Sequence, residues 1–202
     1  MKGFWDSRYR ENDYAYGTEV NAWISENWER IPRGPVLCLA EGQGRNAVFL
    51  AGKGLEVYAL DQSEVGLSRA RELAEARNVE VQTIPADLAH YPLGEEKWGA
   101  IAAVAAHFPP DVRKPLHSRI ADALKPGGIY LLEGYSSRQS DMPGTGGPAH
   151  RPEMLYTTAM LREELQGMEF SILRDVNRKV DEGPYHQGLS AVVQVLAVKR
   201  SS

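Results

Sequence analysis

Val36-Leu-Cys-Leu-Ala-Glu-Gly-Gln-Gly-Arg-Asn-Ala47 is the stretch that decides the fold. A buried-strand pattern runs into a Gly-x-Gly turn and then into a helix, and a second strand ends at Asp61. Asp61 follows Gly42 by 19 residues (61 − 42), close to the roughly 20 expected between a glycine turn and a ribose-binding carboxylate. Gly42 and Gly44 allow the backbone to approach a ligand, and the helix offers unpaired N–H groups. The pattern predicts an adenosine-nucleoside site.

Strand and helix patterns alternate along the rest of the chain. Apolar runs predict five strands, at 36–40, 56–60, 79–84, 98–105 and 129–134, with helices at 45–53, 63–77 and 111–124. After a helix at 158–166, two further strands at 170–180 and 189–199 are joined by a Gly-containing link, which predicts a hairpin. We therefore predict an α/β protein whose doubly wound, seven-stranded, mostly parallel sheet ends in an antiparallel hairpin.

Two segments outside this alternation are predicted to lie near the ligand. Residues 1–30 hold 7 of the 17 aromatic residues, and two short helices broken at Gly17, with Thr18 as N-cap, fit this segment. The segment is expected to form a lid, although amphipathic helices also bury aromatics in ordinary cores. Residues 136–152, rich in Gly, Pro and Ser, are predicted to form a substrate-side loop.

Length and composition exclude several classes of protein. A chain of 202 residues fits a single domain, 1–202, with a sizeable core. The net charge of −4 gives no electrostatic reason to expect a nucleic-acid or membrane partner. No apolar run reaches the ~20 residues that span a bilayer, and the N-terminus lacks a secretory apolar region. Because the single cysteine, Cys38, cannot form an internal disulfide, we expect a cytoplasmic location.

The glycine turn by itself also satisfies the G-x-G-x-x-A pattern of dinucleotide-binding proteins. Three observations argue against a nicotinamide cofactor. The chain leaves no room for a separate substrate domain, and no Tyr is followed four residues later by Lys. It also ends in a hairpin rather than in a second βαβαβ half.

Several motifs together resemble the class I S-adenosylmethionine-dependent methyltransferases over nearly the whole chain. Besides the glycine turn, Asp61 and the hairpin, they are Ala86-Asp87-Leu88 after strand three and Leu124-Lys-Pro-Gly-Gly128 before strand five. The resemblance implies a Rossmann-like methyltransferase fold and S-adenosylmethionine as the cofactor. It also implies that Asp61 holds the ribose, that Asp87 binds the adenine amino group and that Leu88 packs against the ring.

Within that superfamily, further stretches are similar to the bacterial tellurite-resistance and thiopurine methyltransferase-like group. They are Trp5-Asp-Ser-Arg-Tyr9, Tyr14-Ala-Tyr-Gly17, Asn21, Ala40-Glu-Gly-Gln-Gly-Arg-Asn-Ala47, Gly144-Thr-Gly-Gly-Pro148 and His186-Gln-Gly188. The chain departs from the common pattern at Cys38, where many members carry an acid, and at Ala40, which replaces the usual first glycine. Glu41 is the nearest carboxylate and our candidate for contact with the methionine amino group.

The predicted cofactor contacts follow from these motifs. They are Tyr16, Glu41, Gly42, Gly44, Arg45, Asn46, Asp61, Gln62, Asp87, Leu88 and Ala105. Tyr16 is included because an aromatic face suits a sulfonium. The positive charge of Arg45 opposes the dipole at a helix N-terminus, which indicates a specific contact with the cofactor carboxylate or with a carboxylate of the lid.

Methyl transfer from a sulfonium is an in-line displacement, for which the protein places a nucleophile about 3–3.5 Å from the methyl group and excludes water. It requires no metal. His107 after strand four, His186 in the hairpin link, and Tyr16 are the candidate catalytic residues; the alternative for His107 is a loop histidine bonded to backbone. Arg151 is the candidate substrate-steering residue, unless it is only a solvated loop charge. Because the sequence offers no unmistakable base, we predict a soft or anionic nucleophile, such as a thiol or a chalcogen oxyanion.

The function predicted from these residues is S-adenosylmethionine-dependent methyl transfer to a small molecule. One alternative is methylation of a protein or other macromolecule, against which stand the absence of a basic groove and of an appended recognition domain. The other alternative is a non-catalytic S-adenosylmethionine-binding regulator, in which the N-terminal segment would fill the substrate position after strand four.

Overall fold

The computed structural model describes residues 2–200, which form a seven-stranded sheet of order β3-β2-β1-β4-β5-β7-β6. The strands are β1 Val36–Leu39, β2 Val57–Asp61, β3 Gln82–Pro85, β4 Trp98–Val104, β5 Leu124–Tyr135, β6 Met168–Asp181 and β7 Gln187–Lys199. The first five strands pair in parallel, whereas β7 is antiparallel to both β5 and β6. The predicted doubly wound sheet with a terminal antiparallel hairpin is confirmed.

Chain order along the sheet reverses between β1 and β4. Ligands of open α/β sheets bind outside the carboxyl ends of the strands at such a switch point. The topology therefore directs attention to the residues that directly follow β1, β2 and β4.

The helices cover both faces of the sheet. They are α1 Lys2–Glu11, α2 Ala22–Asn27, α3 Arg45–Gly52, α4 Glu64–Ala76, α5 Pro110–Ser118, α6 Ile120–Ala123 and α7 Thr158–Glu164, with short 3-10 turns at Trp28–Arg30, Ser137–Asp141 and Pro152–Met154. Alternate strand residues point to opposite faces. Accordingly, Leu37 packs in a core with α5, α6 and α7, whereas Cys38 packs in a second core with α2, α3 and α4. Across residues 2–200, no helix combines the length and apolar character that a membrane crossing requires.

The observed N-cap of α2 corrects the prediction for Thr18. Asn21 caps the helix, because its side-chain oxygen accepts hydrogen bonds from Trp23 N at 3.0 Å and Ile24 N at 3.3 Å. The backbone N–H of Asn21 in turn donates to Asn46 Oδ1 at 3.0 Å. A tertiary contact with α3 thus fixes where α2 begins.

The predicted helix at 111–124 is divided in the structure. Helix α5 ends before Arg119, α6 is a single turn, and β5 begins at Leu124 rather than at Ile129. Leu124 pairs with Trp98 across a register irregularity, so the Lys-Pro-Gly-Gly turn belongs to the first part of the strand. The pairing of Leu124 with Trp98, which the local sequence pattern does not reveal, accounts for the earlier start of β5.

Candidate active site

A cavity of about 230 Å³ lies at the carboxyl ends of β1, β2 and β4. Every predicted cofactor contact except Gly42 lines it, as do His107 and His186. Arg151 does not. The structure thus brings nearly all of the predicted site residues together at the topological switch point.

The glycine turn at the floor of the cavity has left-handed backbone at three positions. φ is 49° at Ala40, 60° at Gly42 and 87° at Gly44. Ala105, at the end of β4, has φ of 51°. A left-handed non-glycine residue costs roughly 1–2 kcal/mol, and such strain concentrates at binding sites. Ala40 therefore keeps the conformation of the glycine that it replaces.

Protein packing uses the space that the two glycines leave free. A Cβ at Gly42 would lie 2.4 Å from the hydroxyl of Tyr9, and one at Gly44 would lie 2.5 Å from Ala70 Cβ in α4. The sequence predicts that a ligand approaches the backbone at Gly42 and Gly44. In the structure this space accommodates the N-terminal helix and the close approach of α4.

Asp61 holds the glycine turn to the end of β2. Its Oδ2 accepts from Gly42 N at 2.9 Å and its Oδ1 from Ser63 N at 2.8 Å. Burial raises the pKa of Asp61, and the backbone donors partly offset that rise. A carboxylate offers about four lone-pair positions, so two backbone bonds leave capacity for the hydroxyls of a ribose.

Glu41 caps helix α3 from within the turn. Its Oε1 accepts from Asn46 N at 2.9 Å and Ala47 N at 2.8 Å, bonds that Gly44 at the N-cap position cannot make because it has no side chain. Burial raises the pKa of the Glu41 carboxyl to about 7. The Glu41 carboxylate thus supplies a hydrogen-bond acceptor for the N–H groups that are free at the start of α3.

Asp87 and Leu88 form the outer part of the cavity. The Asp87 side chain is 63% exposed, and its Oδ1 accepts from Ala89 N at 3.0 Å. Leu88 is buried. A polar acceptor at the rim beside an apolar surface matches the amino-bearing edge and the apolar face of an adenine ring.

Arg45 pairs with a carboxylate of the hairpin rather than of the lid. Its Nη2 donates to Glu182 Oε2 at 2.5 Å, and Glu182 Oε1 also accepts from Arg178 Nη2 at 2.6 Å and Asn21 Nδ2 at 2.9 Å. Although burial raises the pKa of Glu182, the two guanidinium groups bring it below its usual range. Asn21 Nδ2 also donates to the buried Glu133 in β5, so this network joins the N-terminal segment, α3, β5 and β6.

His107 is engaged by backbone on both sides of its ring. Its Nδ1 lies 2.9 Å from Met154 O, and its Nε2 accepts from Tyr135 N at 3.1 Å, which fixes the proton on Nδ1. Burial lowers the pKa of His107 to about 4. This arrangement gives no support to the predicted catalytic role and matches the alternative, a histidine bonded to backbone.

His186 and Tyr16 face each other on the acceptor side of the cavity. Their ring centroids are 4.5 Å apart, and the Tyr16 hydroxyl accepts from Arg8 Nη1 at 3.3 Å. Burial and the nearby Arg45 lower the pKa of His186 to about 3. At neutral pH, both cavity histidines are therefore uncharged and weakly basic.

No residue of the 136–152 loop, which was predicted to lie on the substrate side, is among the described residues that line the cavity. Gly146 and Gly147 pack directly on Tyr135, where a Cβ would come within 2.0 and 2.8 Å of its side chain. Arg151 donates to Glu153 Oε1 at 2.9 Å and is 40% exposed. The loop contacts the cavity wall through Tyr135, whose ring contacts His186, and through Thr145, which hydrogen-bonds Gln187.

Several residues that line the cavity were not predicted as site residues. Trp5 and Tyr9 reach it from α1, and Phe108 and Val112 from the segment after β4. Trp5 and Tyr9 belong to the motif Trp5-Asp-Ser-Arg-Tyr9, one of the stretches on which the family resemblance rests. Their position at the cavity depends on the docking of α1, which no local pattern specifies.

Residues 36–128 match a family described as methyltransferase domain. This part of the chain, 93 of the 202 residues (128 − 36 + 1), is therefore similar to methyltransferase domains. The match supports the predicted family, and with it S-adenosylmethionine rather than a nicotinamide dinucleotide as the cofactor.

Two curated relatives match somewhat more than half of this chain. A carboxy-S-adenosyl-L-methionine synthase of Dichelobacter nodosus is 25% identical over 118 residues, 58% of this chain and 50% of that protein. An uncharacterized methyltransferase of Synechocystis sp. is 35% identical over 109 residues, 53% of this chain and 50% of that protein. The alignments thus span about half the length of these relatives.

Solved structures share the fold over nearly the whole chain. A structure described under the conversion of a disulfide bond into a thioacetal group during echinomycin biosynthesis is 21% identical, with a TM-score of 0.77, and covers 99% of this chain and 92% of its own. TehB from Haemophilus influenzae is 19% identical, with a TM-score of 0.72, and covers 98% and 67%. At these identities the likeness establishes the fold.

Proposed function

We propose that this methyltransferase domain transfers the methyl group of S-adenosylmethionine to a small molecule with a soft or anionic nucleophile, such as a thiol or a chalcogen oxyanion. The observation that supports the proposal is a small cavity that is lined by the carboxylates of Asp61 and Asp87 and whose two histidines are uncharged, because burial lowers their pKa values.

The residues of the floor fit the cofactor. Asp61 retains acceptor capacity for the ribose, Asp87 and Leu88 offer an acceptor and an apolar surface for adenine, and Glu41 is a carboxylate for the amino group. Tyr16 presents its ring to the same cavity. When bound, the cofactor supplies an electrophilic methyl group on a sulfonium. The contacts predicted for Gln62, Asn46, Arg45 and Ala105 are part of the same proposal.

The acceptor side favours a nucleophile that does not need a strong general base. His107 has both ring nitrogens bonded to backbone, and the pKa of His186, lowered to about 3 by burial and Arg45, makes it a poor proton acceptor. The Glu41 side chain already accepts a hydrogen bond from Ala47 N at the N-terminus of α3. A thiol, which ionises near neutral pH, suits this environment, whereas an alcohol needs a base to remove its proton.

The size and roof of the cavity favour a small acceptor. Its volume, about 230 Å³, is below the roughly 300–1,000 Å³ typical of ligand pockets, so it leaves little space for a large acceptor. Trp5, Tyr9 and Tyr16 wall it on the N-terminal side, and such closure excludes water from the reaction. A macromolecular acceptor requires a more open approach.

Titration and turnover together test the proposed function. We expect calorimetry to show binding of S-adenosylmethionine and S-adenosylhomocysteine and no binding of NAD. With 2-mercaptoethanol as acceptor, the rate is expected to rise with ionisation of the thiol, and the alcohol analogue ethylene glycol is expected to react at least 100-fold more slowly. Binding without turnover on any thiol or chalcogen oxyanion favours the regulator, whereas equal rates on the two analogues contradict the soft-nucleophile preference.

Protonation of Glu41 provides a separate test of its role in cofactor binding. Because burial raises the pKa of the free carboxyl to about 7, a cationic amino group bound beside it will drive proton release. We expect release of about half a proton at pH 7 and roughly tenfold weaker S-adenosylmethionine binding at pH 6 than at pH 8. Calorimetry in buffers of different ionisation enthalpy measures this release.

Glu41→Gln is expected to abolish both effects, since the amide still accepts the α3 hydrogen bonds but does not titrate. Asp87→Asn serves as the control, because it removes a carboxylate at the rim and leaves Glu41 in place. If the wild type releases no proton at pH 7, or Glu41→Gln releases as much as the wild type, the amino group lies elsewhere.

A further inference from the structure

The protein uses only part of the hydrogen-bonding capacity of Arg45. This residue lines the cavity and is 7% exposed. Its Nη2 donates to Glu182, whereas its Nη1 is a buried donor that has no hydrogen-bond partner among residues 2–200. A buried donor without an acceptor is costly, so an acceptor atom of a ligand stabilises the protein at this point.

The ring of His186 is a second polar group without a partner at the same cavity. His186 is 8% exposed and lies between the rings of Tyr16 and Tyr135, with centroid separations of 4.5 and 5.2 Å. Its backbone is hydrogen-bonded within the hairpin link, to Gly183 O at 3.3 Å and to Glu182 N at 2.8 Å. No hydrogen bond within the described part of the chain involves its ring nitrogens, which therefore remain free for a ligand.

The electrostatic environment of the His186 ring is positive. Burial lowers the pKa of His186, and among the charged groups around it Arg45 has the largest effect and lowers the pKa further. Glu182 acts in the opposite sense, but its carboxylate is shared between Arg45 and Arg178. An environment that disfavours a further cation favours an anion.

His186 is also remote in the sheet from the carboxylate expected to hold the ribose. Asp61 ends β2, whereas His186 directly precedes β7, four positions away in the sheet order. At a strand spacing of 4.7–4.9 Å, the two strands are roughly 19 Å apart. An anion beside His186 is therefore better placed to belong to the methyl acceptor than to the adenosine.

We propose that the methyl acceptor carries a carboxylate in addition to its nucleophile, and that Arg45 Nη1 and the ring N–H of His186 bind this carboxylate. The inference rests on the proposed function, because it assumes a small acceptor beside S-adenosylmethionine. It names the substrate class as small thiol acids.

Binding of the carboxylate orients the thiol for reaction. Two donors match the two oxygens of a carboxylate, and an acceptor that is fixed at one end presents its sulfur to the methyl group in one direction. The thiolate sulfur forms the new bond to the methyl carbon, and the electron pair of the broken bond stays on the departing sulfur. The step transfers no proton, so it requires no base from the protein.

Three thiols that differ in charge test the acceptor preference: 3-mercaptopropionate, its uncharged methyl ester and the cationic cysteamine. Their rates are compared at equal thiolate concentration, with the methylated product measured by mass spectrometry. We expect kcat/KM to be at least tenfold higher for 3-mercaptopropionate than for the ester, on the scale of one charge-assisted hydrogen bond. Cysteamine is expected to have the lowest value.

Arg45→Lys and His186→Phe test the two residues. Lysine keeps a cation beside Glu182 but has one nitrogen in place of two, and phenylalanine keeps a ring between Tyr16 and Tyr135 without an N–H group. In both variants, we expect the preference for 3-mercaptopropionate over its ester to fall to about threefold or less, mainly through a higher KM for the acid.

Arg138→Lys is the matched control. Its guanidinium group also pairs with a carboxylate, that of Asp175 at 2.6 Å, but it does not line the cavity, so we expect the wild-type preference. Calorimetry of 3-mercaptopropionate with the S-adenosylhomocysteine complex measures carboxylate binding without turnover, and about tenfold weaker binding is expected in Arg45→Lys and His186→Phe. Melting of the ligand-free variants separates lost binding from lost folding.

A comparison of two cofactor analogues identifies the source of the carboxylate. S-adenosylhomocysteine carries the amino-acid end of the cofactor, whereas 5′-methylthioadenosine lacks it. We expect the ratio of their affinities to be the same in Arg45→Lys as in the wild type. If Arg45→Lys weakens S-adenosylhomocysteine at least tenfold more than 5′-methylthioadenosine, Arg45 holds the carboxylate of the cofactor and the acceptor subsite is overturned.

The remaining outcomes distinguish the subsite from the proposed function. If the wild type binds no S-adenosylhomocysteine, or turns over none of the three thiols, both fail. If it methylates 3-mercaptopropionate and the ester equally well, or if either variant keeps the wild-type preference, the subsite is overturned while the proposed function stands.

Discussion

Gly44→Ala is expected to destabilise the protein by about 2–5 kcal/mol. Gly44 has φ of 87°, which an alanine adopts only with strain, and the added Cβ would lie 2.5 Å from Ala70 Cβ and 2.8 Å from Ala70 Cα. Since α3 and α4 are both rigid, the collision forces the two helices apart at the floor of the site. Denaturant unfolding measures the loss of stability.

Gly54→Ala separates the strain from the collision. Gly54 has a similar φ of 81°, but nothing lies within 4 Å of an added Cβ, so we expect only the strain of about 1–2 kcal/mol. Adding Ala70→Gly to Gly44→Ala is expected to recover part of the loss, because it removes one of the two colliding atoms. Equal destabilisation by Gly44→Ala and Gly54→Ala contradicts a role for helix packing.

Asp61→Ala is expected to weaken S-adenosylmethionine binding by about 100-fold. Removal of a buried hydrogen-bonding partner costs about 1–3 kcal/mol, and each 1.4 kcal/mol is about tenfold in affinity. The variant also removes the acceptor of Gly42 N and Ser63 N, so the glycine turn loses its attachment to β2. Calorimetry measures the affinity.

Asp87→Ala is the matched control for this carboxylate. It also removes a carboxylate that lines the cavity, but the side chain is 63% exposed and is replaceable by water, so we expect a loss of less than about tenfold. Asp61→Asn is expected to resemble Asp61→Ala, because its amide nitrogen faces a backbone donor. Wild-type affinity in Asp61→Ala means that the ribose lies elsewhere.

Features that depend on chain order and local pattern were predictable from the sequence. Alternating strands and helices with a final hairpin predicted the observed seven-stranded, doubly wound sheet and its antiparallel end, and the Gly42-to-Asp61 spacing located the cavity. Backbone topology explains this success, since parallel strands place their carboxyl ends at one edge of the sheet. Residues that directly follow β1, β2 and β4 therefore lie close together, whichever side chains they carry.

Features that depend on distant side chains were not predictable. The sequence indicated a carboxylate partner for Arg45, yet its partner is Glu182, 137 positions away. Likewise, the docking of Tyr9 above Gly42 and the packing of Gly146 on Tyr135 follow from shape complementarity between separate elements. No spacing rule connects such positions.

The network around Asn21 sets an order in which the site is assembled during synthesis. Asn21 Nδ2 donates to Glu182 at 2.9 Å, and Trp23 Nε1 donates to Val195 O at 3.3 Å. The two partners are translated 161 and 172 positions after Asn21 and Trp23, respectively. The roof over the cofactor is thus completed only after the hairpin has been made, so a nascent chain that stalls before β7 has the glycine turn but not the closed site.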